Sequence, residues 1–384
     1  MKHAITLLTA LLLAPLAALP AAELTKSAGD SLLATPLNTA PGPEYQTAAR
    51  FYQGIPGIAR DKSGRLWATW YAGGKGESKE NYVLVVTSKD DGVTWTEPVL
   101  VIDPPGDIRA SDPCLWTAPD GRLFLFYAQA DSSAKLHDGR WGVWVTVCEQ
   151  PDRADASWIK PVRIGDGIML NKPTVLRDGS WLLPVAMWND KQHGAGVVRS
   201  RDQGRTFQWI GGAAGNSMEH MIVERRDGTL WMLIRIKGGI AECVSNDGGA
   251  TWSAPTRSII GGPGSRFHIS RLRSGRLLLV NHHGFVSEGH PGLEHRSHMT
   301  ALLSDDDGRT WPHKLLLDER KEVSYPDAVE AEDGRLYIIY DRGRNSEREI
   351  LMTITSERDI IVGGPGLSTK LRVIINKATK PRNR

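Results

Sequence analysis

Charged and polar side chains recur where the chain is expected to begin its buried strands. Arginine, aspartate and histidine dominate this set, and such side chains bind anions, exchange protons or form ion pairs. The members are Arg109, Asp112, Asn171, Lys172, His220, Arg266, His268, Asp341 and Arg342. A set with this excess of positive charge suits an acidic sugar, but the same side chains can equally form ion pairs between neighbouring strands. Their use depends on the elements that position them.

Metal ligands in a usable spacing are absent from the sequence. The seven histidines from His220 to His298 show no H-x-x-x-H or similar spacing. Cys114, Cys148 and Cys243 are odd in number and widely spaced, which matches neither a zinc site nor a disulfide framework. We therefore expect three buried free thiols, no metal and no cofactor.

The N-terminus has the pattern of a signal peptide. Lys2 precedes an uncharged run from Ala4 to Leu19, and small residues at Ala21 and Ala22 follow it. The run is short for a membrane span, although an uncleaved N-terminal anchor is the alternative. We predict a signal peptide over residues 1–22, no membrane span in the mature chain, and export to the periplasm or secretion.

The charge balance of the 384 residues argues against a nucleic-acid partner. The net charge is only +3 at pH 7, and Lys and Arg are interspersed with Asp and Glu. No basic tract of the kind that nucleic acid requires is present. Thirteen tryptophans are an unusual number and need a structural explanation.

A six-fold repeat predicts the fold class. Each copy is a tight Asp-Gly or Ser-Gly turn followed by an apolar strand, and glycine supplies the positive φ that such a turn demands. The turn glycines are Gly64, Gly121, Gly179, Gly228, Gly275 and Gly334, with consecutive differences of 57, 58, 49, 47 and 59. Repeats of this length are typical of propellers, whose four-stranded blades cannot bury both faces alone. We predict a single all-β domain over residues 23–384, a six-bladed β-propeller.

A second motif, Ser-x-Asp-x-Gly-x-Thr-Trp/Phe, occurs four times. Its copies begin at Ser88, Ser200, Ser245 and Ser304. They resemble the Asp-box (BNR) hairpins of the sialidase superfamily, in which an Asp accepts backbone N–H bonds and an aromatic ring fills the gap beneath. We expect a structural role, because the alternative of a calcium loop lacks the Glu at the required distance. The blade between the first two copies has lost its box, and residues 144–158 are expected to fill that place.

Two further expectations concern the rest of the fold. Helix signals are nearly absent, since no run outside the signal peptide shows convincing helical periodicity. Rings of this kind usually close by pairing strands from both chain ends in one blade. The candidates for that pairing are Ile350–Ile361 and Ala48–Ile58.

The resemblance to sialidases covers most of the mature chain and implies a catalytic set. That family uses a Tyr nucleophile activated by a Glu, an Asp acid/base, and three Arg that clamp the substrate carboxylate. A neutral phenol suits an anomeric carbon that bears a carboxylate, which would repel a carboxylate nucleophile. The stretch from Asn216 to Arg235 is similar to the family's N-E…V-E…DG-x-L…R pattern, which implies Glu219 as the base and Arg235 as a clamp residue. The spacing around the last Asp box implies Arg296 as another clamp residue and Tyr325 as the nucleophile; the alternative for Tyr325 is a core aromatic.

Two positions depart from the family pattern. Gly54 stands in Gln-Gly-Ile-Pro where sialidases carry the Arg of Arg-Ile-Pro. Arg50, Arg109 or Arg266 could substitute for that arginine in space. The acid/base Asp should lie just before the first Asp box, and Glu80 is the nearest match there.

The resemblance thus implies an exo-acting glycoside hydrolase of sialidase type, which releases a terminal acidic sugar with retention and without a cofactor. Tyr325 would attack, Glu219 would take its proton and Glu80 would protonate the leaving oxygen. Further substrate-binding residues are expected among Arg235, Arg296, Arg50, Arg109, Asp112, Arg266, His268 and Arg342. One alternative is a hydrolase or lyase acting on a polysaccharide that contains uronic acid or rhamnose. The other is a non-catalytic propeller that binds glycan or protein.

Overall fold

A computed structural model of the chain describes residues 32–131, 139–187, 190, 192–215, 218–283 and 296–381. The predicted signal peptide, residues 1–22, lies outside these ranges. Within them, 25 strands form six antiparallel sheets of four or five strands each. The sheets are the blades of a ring, which confirms the prediction of an all-β, six-bladed β-propeller.

The blades consist of strands that follow one another along the chain. Blade 1 contains β1 (Leu37–Asn38), β2 (Tyr52–Arg60), β3 (Leu66–Gly73), β4 (Tyr82–Ser88) and β5 (Leu100–Ile102). Blade 2 contains β6 (Ile108–Thr117), β7 (Leu123–Asp131), β8 (Val143–Cys148) and β9 (Val162–Gly165). Blade 3 contains β10 (Thr174–Val175), β11 (Trp181–Ala186), β12 (Ala195–Ser200) and β13 (Gln208–Ala213). Blade 4 contains β14 (Met218–Glu224), β15 (Leu230–Ile236), β16 (Gly239–Ser245) and β17 (Thr256–Arg257). Blade 5 contains β18 (His268–Arg271), β19 (Leu277–His282), β20 (Met299–Ser304) and β21 (His313–Asp318). Blade 6 contains β22 (Val323–Glu330), β23 (Arg335–Arg342), β24 (Glu349–Ser356) and β25 (Lys370–Lys377). The inner strands, which pack around the axis, are β2, β6, β10, β14, β18 and β22.

The two sequence motifs occupy fixed places in the blades. The Asp-Gly and Ser-Gly turns join the first two strands of the meander, and the Asp boxes join the last two. In the first box, Asp90 accepts hydrogen bonds from the backbone N–H and the hydroxyl of Thr94, at 2.9 and 2.6 Å. The indole N–H of Trp95 donates to the Gly92 carbonyl at 3.2 Å. These bonds close the turn on itself, as a structural role requires.

Helical structure is confined to short segments of the described residues. They are two 3-10 turns, Pro43–Tyr45 and Thr47–Ala49, and α1 (Glu357–Val362). This agrees with the near absence of helix signals, although no pattern predicted α1, which stands in blade 6 where four other blades carry an Asp box. The Ser356 hydroxyl caps it by accepting from the Asp359 N–H, and Gly363 ends it with φ 75°. No described helix has the length and apolar character that a bilayer crossing demands.

The ring closes differently from the expectation. Blade 6 is made of four consecutive C-terminal strands, and no described blade combines strands from both chain ends. The predicted pairing of Ile350–Ile361 with Ala48–Ile58 is therefore wrong. Side chains join the two terminal blades instead, as when the Ile58 N–H donates to Asp327 Oδ2 at 2.9 Å. Hydrogen bonds to a buried carboxylate therefore connect the first and last blades where strand pairing was expected.

The tryptophans fill the wedges between blades. Trp70, Trp181 and Trp231 are almost completely buried. Trp116 of blade 2 meets Trp181 of blade 3 edge to face, with ring centroids 4.6 Å apart. One aromatic side chain buries about 150–250 Å², so each of these rings adds substantially to the apolar packing between blades.

Candidate active site

Four inner strands carry a β-bulge in their first half. The register shifts lie between Gly54 and Gly57 in β2, and at equivalent points of β6, β14 and β22. At each bulge one residue that is not glycine adopts the left-handed conformation: Ile55 (φ 59°), Asp112 (51°), Glu219 (64°) and Tyr325 (52°). Such a residue stores about 1–3 kcal/mol of strain, and strain of this kind concentrates at functional sites. A bulge also re-aims its side chain, so three chemically capable side chains leave the regular strand pattern.

Tyr325 and Glu219 are in direct contact although 106 residues separate them in sequence. The Tyr325 hydroxyl donates to Glu219 Oε1 at 2.5 Å. Arg235 Nη1, at the end of β15, donates to the same carboxylate oxygen at 2.5 Å and to Tyr325 Oη at 2.9 Å. Tyr325 and Glu219 are buried, while the Arg235 side chain is 22% exposed. The structure thus brings together a phenol, a carboxylate and an accessible guanidinium.

Electrostatic forces act in opposite directions on this pair. Burial raises the pKa of Tyr325 and the Glu219 carboxylate raises it further, while three arginines lower it without restoring the ordinary value. Burial also tends to raise the pKa of Glu219, but Arg235 and the hydrogen bonds from Arg235 and Tyr325 bring it below its usual range. Glu219 Oε2 is buried without a hydrogen-bond partner among the described residues. The proton therefore rests on Tyr325 until the charge around Glu219 changes.

Two more guanidinium groups stand over the Tyr325 ring. Arg296 Cζ lies 5.4 Å from the ring centroid, and Arg344 Cζ lies 3.9 Å from it. Arg296 was predicted, whereas Arg344, in the loop between β23 and β24, was missed. The sequence offered only the weak signal that Arg344 lies two residues after the Asp341-Arg342 pair. With Arg235, and with Arg266, whose Cζ lies 5.6 Å from the ring centroid, the phenol has four guanidinium groups around it.

Two predicted arginines have structural roles instead. The buried Arg266 guanidinium donates to the carbonyls of Pro56, Leu170 and Pro326 at 2.9–3.3 Å. Its Cζ lies 5.6 Å from the Tyr325 centroid, but its donors are taken by backbone. Arg50 is fully buried and bonds the Tyr45 carbonyl and the side chains of Gln53 and Asn376. Neither guanidinium is left to bind a carboxylate.

His268 and Arg342 likewise pair within the protein. His268 Nδ1 lies 3.1 Å from Asp327 Oδ1, and Lys172 donates to the other oxygen of that carboxylate. Arg342 Nη1 donates to Glu349 Oε2 at 3.0 Å. No contact between these side chains and Tyr325 is present in the described ranges, which favours a structural role for both.

Two carboxylates, Glu77 and Asp112, form the acidic side of the site, and Arg109 pairs with Glu77. Glu77 Oε1 accepts from the Tyr71 hydroxyl at 3.1 Å, and Glu77 Oε2 lies 3.5 Å from Arg109 Nη2. Glu77 also lines a cavity of about 240 Å³ together with Arg344 and Ser324. Glu80, the predicted acid/base, lines no part of it; its side chain lies against Gly74.

Family comparison agrees with this architecture. The pattern of the BNR repeat-like domain family matches residues 64–338. The chain belongs to this family. No curated protein sequence matches it significantly.

Solved structures of sialidase type share the fold of this BNR repeat-like protein. The Hadza microbial sialidase Hz136 superposes with a TM-score of 0.64 at 20% identity, over 81% of this chain and 66% of that one. The intramolecular trans-sialidase from Ruminococcus gnavus, in complex with oseltamivir carboxylate, gives 0.62 at 14% identity, over 81% and 95%. A protein of unknown function from Dyadobacter fermentans gives 0.61 at 19% identity, over 79% and 93%. At identities of 14–20%, these matches show that the chain shares the fold of these proteins.

A larger cavity of the BNR repeat-like ring, about 480 Å³, lies away from this chemistry. It is lined by later residues of the inner strands, whereas the smaller cavity is lined by Arg344, whose guanidinium stands over the Tyr325 ring; neither cavity has Tyr325 or Glu219 among its lining residues. Its charged groups are already engaged, as Lys172 is with Asp327 and Arg271 with Asp307. No described group of three or more His, Cys, Asp or Glu side chains could hold a metal ion. We place the candidate active site at Tyr325.

Asp112 should give the stability of the protein a distinctive pH dependence. Burial raises the pKa of Asp112 to about 6, and the Glu77 carboxylate adds to the effect. Between about pH 4 and 6 the folded protein therefore keeps a proton that the unfolded chain has lost, and stability falls as pH rises through this interval. Asp112→Asn has no such loss, so its melting temperature relative to wild type should increase from about pH 4 to pH 7.5.

The control for this measurement is Asp178→Asn in an exposed turn. Hydrogen bonds from Ser180 hold the pKa of Asp178 below its ordinary value. Its stabilising effect is present above the unfolded pKa, so the variant's relative melting temperature should fall as pH rises. Parallel curves for the two variants would contradict the assigned shift at Asp112.

Proposed function

We propose that this protein is an exo-acting glycoside hydrolase that releases a terminal acidic sugar with retention of configuration. The observation that carries the proposal is the Tyr325–Glu219 hydrogen bond beside the guanidinium groups of Arg235, Arg296 and Arg344. A phenol paired with a base is an activated nucleophile, and guanidinium groups bind a planar carboxylate through paired hydrogen bonds. The substrate is an acidic glycan, met outside the cytoplasm as the signal-peptide pattern predicts.

Substrate binding itself turns Glu219 into a base in this proposal. A bound carboxylate competes with Glu219 for Arg235, and the weakened Arg235–Glu219 contact lets the pKa of Glu219 rise. Tyr325 Oη then forms a bond to the anomeric carbon while its proton passes to Glu219. The bond from the anomeric carbon to the leaving oxygen breaks in the same step.

An acid must protonate the leaving oxygen, and Glu77 is the residue that we assign to this role in place of Glu80. Glu77 shares the cavity with Arg344, and its side chain is 45% exposed, so a leaving group can reach it. Burial and the nearby Glu77 carboxylate raise the pKa of Asp112 to about 6, so that Asp112 holds a proton beside Glu77 at mildly acidic pH. In the second step Glu77 takes a proton from water, the water oxygen bonds to the anomeric carbon, and Tyr325 leaves with the proton held by Glu219.

Arg344 also bears on the alternatives. The missing arginine at position 54 suggested a site altered for a polysaccharide that contains uronic acid or rhamnose. Arg344 supplies a third arginine beside Arg235 and Arg296, which supports a clamp of three arginines for the substrate carboxylate instead. A purely binding propeller has no need of a hydroxyl donated to a buried carboxylate beside an accessible arginine.

The proposal is tested with fluorogenic sialosides and a panel of oligosaccharides capped by sialic or uronic acids. We expect a free acidic sugar as product. NMR should show that it is first released with the same anomeric configuration as it has in the substrate. A product that absorbs in the near ultraviolet would identify β-elimination and hence a lyase. Binding without turnover across the panel would identify the non-catalytic alternative.

The acid assignment predicts a dependence on the leaving group. Glu77→Gln should lower kcat/KM by about 100-fold or more on alkyl-linked glycosides, which need a proton. On an aryl glycoside with a good leaving group the loss should stay below about 10-fold, because a stable phenolate leaves unaided. Both series are measured as initial rates.

Glu80→Gln is the matched control, with the same change three residues along one loop. It should remain within about two-fold of wild type on both substrates, since its side chain lies outside the cavity. The reverse pattern, with the leaving-group dependence in Glu80→Gln, would return the acid role to Glu80.

A further inference from the structure

Gly54 is a glycine because of what lies beside it. A Cβ atom built at residue 54 would lie 2.6 Å from both Cγ and Cδ of Arg344, and 3.0 Å from Nε. Real Cβ atoms do not approach other atoms so closely. The backbone of Gly54 does not require glycine, since its φ lies outside the left-handed region. The space that a side chain of residue 54 would fill is thus occupied by Arg344, from the other end of the chain.

Arg344 is held firmly in this position. Its Nε donates to Asp341 Oδ2 at 2.9 Å and its Nη2 donates to Ser324 Oγ at 3.1 Å. Asp341 Oδ2 also accepts the Ile55 N–H at 2.8 Å, and Asp341 Oδ1 accepts the Ser324 hydroxyl. The anchor therefore joins the strand that carries Gly54 to the strand that carries Tyr325.

The outer part of Arg344 remains available. Its Nη1 has no hydrogen-bond partner among the described residues, and the side chain is 13% exposed along the cavity of about 240 Å³. Arg344 also contributes to lowering the pKa of Tyr325. A cation in this place can bind a substrate carboxylate and stabilise a developing phenolate.

We propose that Gly54 and Arg344 are a matched pair, in which the loop after β23 supplies the clamp arginine that position 54 lacks. This inference rests on the proposed function and makes it more specific: Arg235, Arg296 and Arg344 together form the carboxylate site. The glycine makes room for the relocated side chain, and Asp341 fixes it where a residue on β2 would otherwise project.

The pair is tested by exchanging its members. Arg344→Gly should lower kcat/KM for the acidic sugar by about 100-fold, mainly through KM, because a charged hydrogen-bonding partner is removed. Gly54→Arg should be at least as impaired, since two side chains then claim one space. The double variant Gly54→Arg/Arg344→Gly should recover to within about 10-fold of wild type. Arg342→Ala, on the same strand end but paired with Glu349, is the control and should keep KM within about two-fold.

A binding measurement separates this inference from the proposed function. Calorimetry compares an acidic monosaccharide with its carboxamide, which has the same shape and no charge. Wild type should prefer the acid by at least about 10-fold, and Arg344→Gly should lose most of that preference. An unchanged KM and acid preference in Arg344→Gly would overturn the matched pair alone, as would a double variant no better than Gly54→Arg. A wild-type protein that neither binds nor releases any acidic sugar would reject the proposed function and this inference together.

Discussion

Tyr325→Phe should lower kcat by at least about 1,000-fold on the best acidic glycoside while leaving the fold intact. The substitution removes the oxygen that would bond to the anomeric carbon, and loss of a nucleophile affects kcat far more than KM. The phenyl ring keeps its packing and its contact with the Arg344 guanidinium, 3.9 Å from the ring centroid. The buried Glu219 keeps its bond to Arg235, so no charge is left unpaired.

Tyr340→Phe is the matched control because it makes the same change in the same blade. The Tyr340 hydroxyl donates to Asp318 at 3.2 Å, and no contact with Glu219 or Arg235 is present in the described residues. We expect kcat within about two-fold of wild type for this control. Initial rates and melting temperatures are measured for both variants. A Tyr325→Phe protein as active as the control would reject the nucleophile assignment.

Asp327→Ala should lower the free energy of unfolding by about 3–5 kcal/mol, the usual cost of leaving a buried charge without its partner. Its carboxylate accepts from Lys172 and from the Ile58 N–H and contacts His268 Nδ1. These groups come from blades 1 and 5 and from the chain that leads into blade 3. One buried carboxylate of blade 6 thus holds four parts of the ring together. Burial tends to raise the pKa of Asp327, but Lys172 and His268 hold it well below its ordinary value.

The control for this variant is Asp333→Ala, an exposed turn residue of the same blade. Asp333 pairs with Arg335 at the surface, where an ion pair contributes less than about 1 kcal/mol. Urea unfolding at neutral pH measures both variants. Since the pKa of Asp327 is lowered in the folded state, its contribution is complete above the unfolded pKa and is lost only in strong acid. Equal losses for the two variants at neutral pH would show that the axial charges do not stabilise the ring.

The propeller architecture was predictable from the sequence because its turns and boxes each need particular residues. A tight turn needs its glycine and an Asp box needs its Asp and Thr, so the six turns predicted the number of blades and the four boxes supported the prediction of a propeller. Ring closure was not readable in this way. It depends on bonds such as that from Ile58 to Asp327, and no local pattern records which side chain will replace a strand. The helix α1 was missed because six residues are too few for periodicity, although Ser356 and Gly363 are ordinary capping signals.

The site was predictable where one motif carries one residue. The contact of Tyr325 with Glu219 and Arg235 follows from motif positions, whereas Arg344 does not. An arginine is able to bind an anion wherever it occurs, but Arg266 uses its donors on carbonyl groups and Arg344 keeps some free. That difference depends on neighbours from distant parts of the chain. Glu80 was chosen for its position just before the first Asp box, whereas the structure shows that the glutamate of this loop that lines the cavity is Glu77.

The left-handed residues at the bulges have a consequence for how such a ring can change. Ile55, Asp112, Glu219 and Tyr325 are directed by their own backbone conformation, so their orientation does not depend on what the side chain is. The bulges thus fix where each side chain leaves its strand, while the neighbours of that side chain decide what it can be. Ile55, at the bulge of blade 1, is buried in the same apolar cluster as Tyr325, so a polar side chain at this position would also need a hydrogen-bond partner supplied by the surrounding blades.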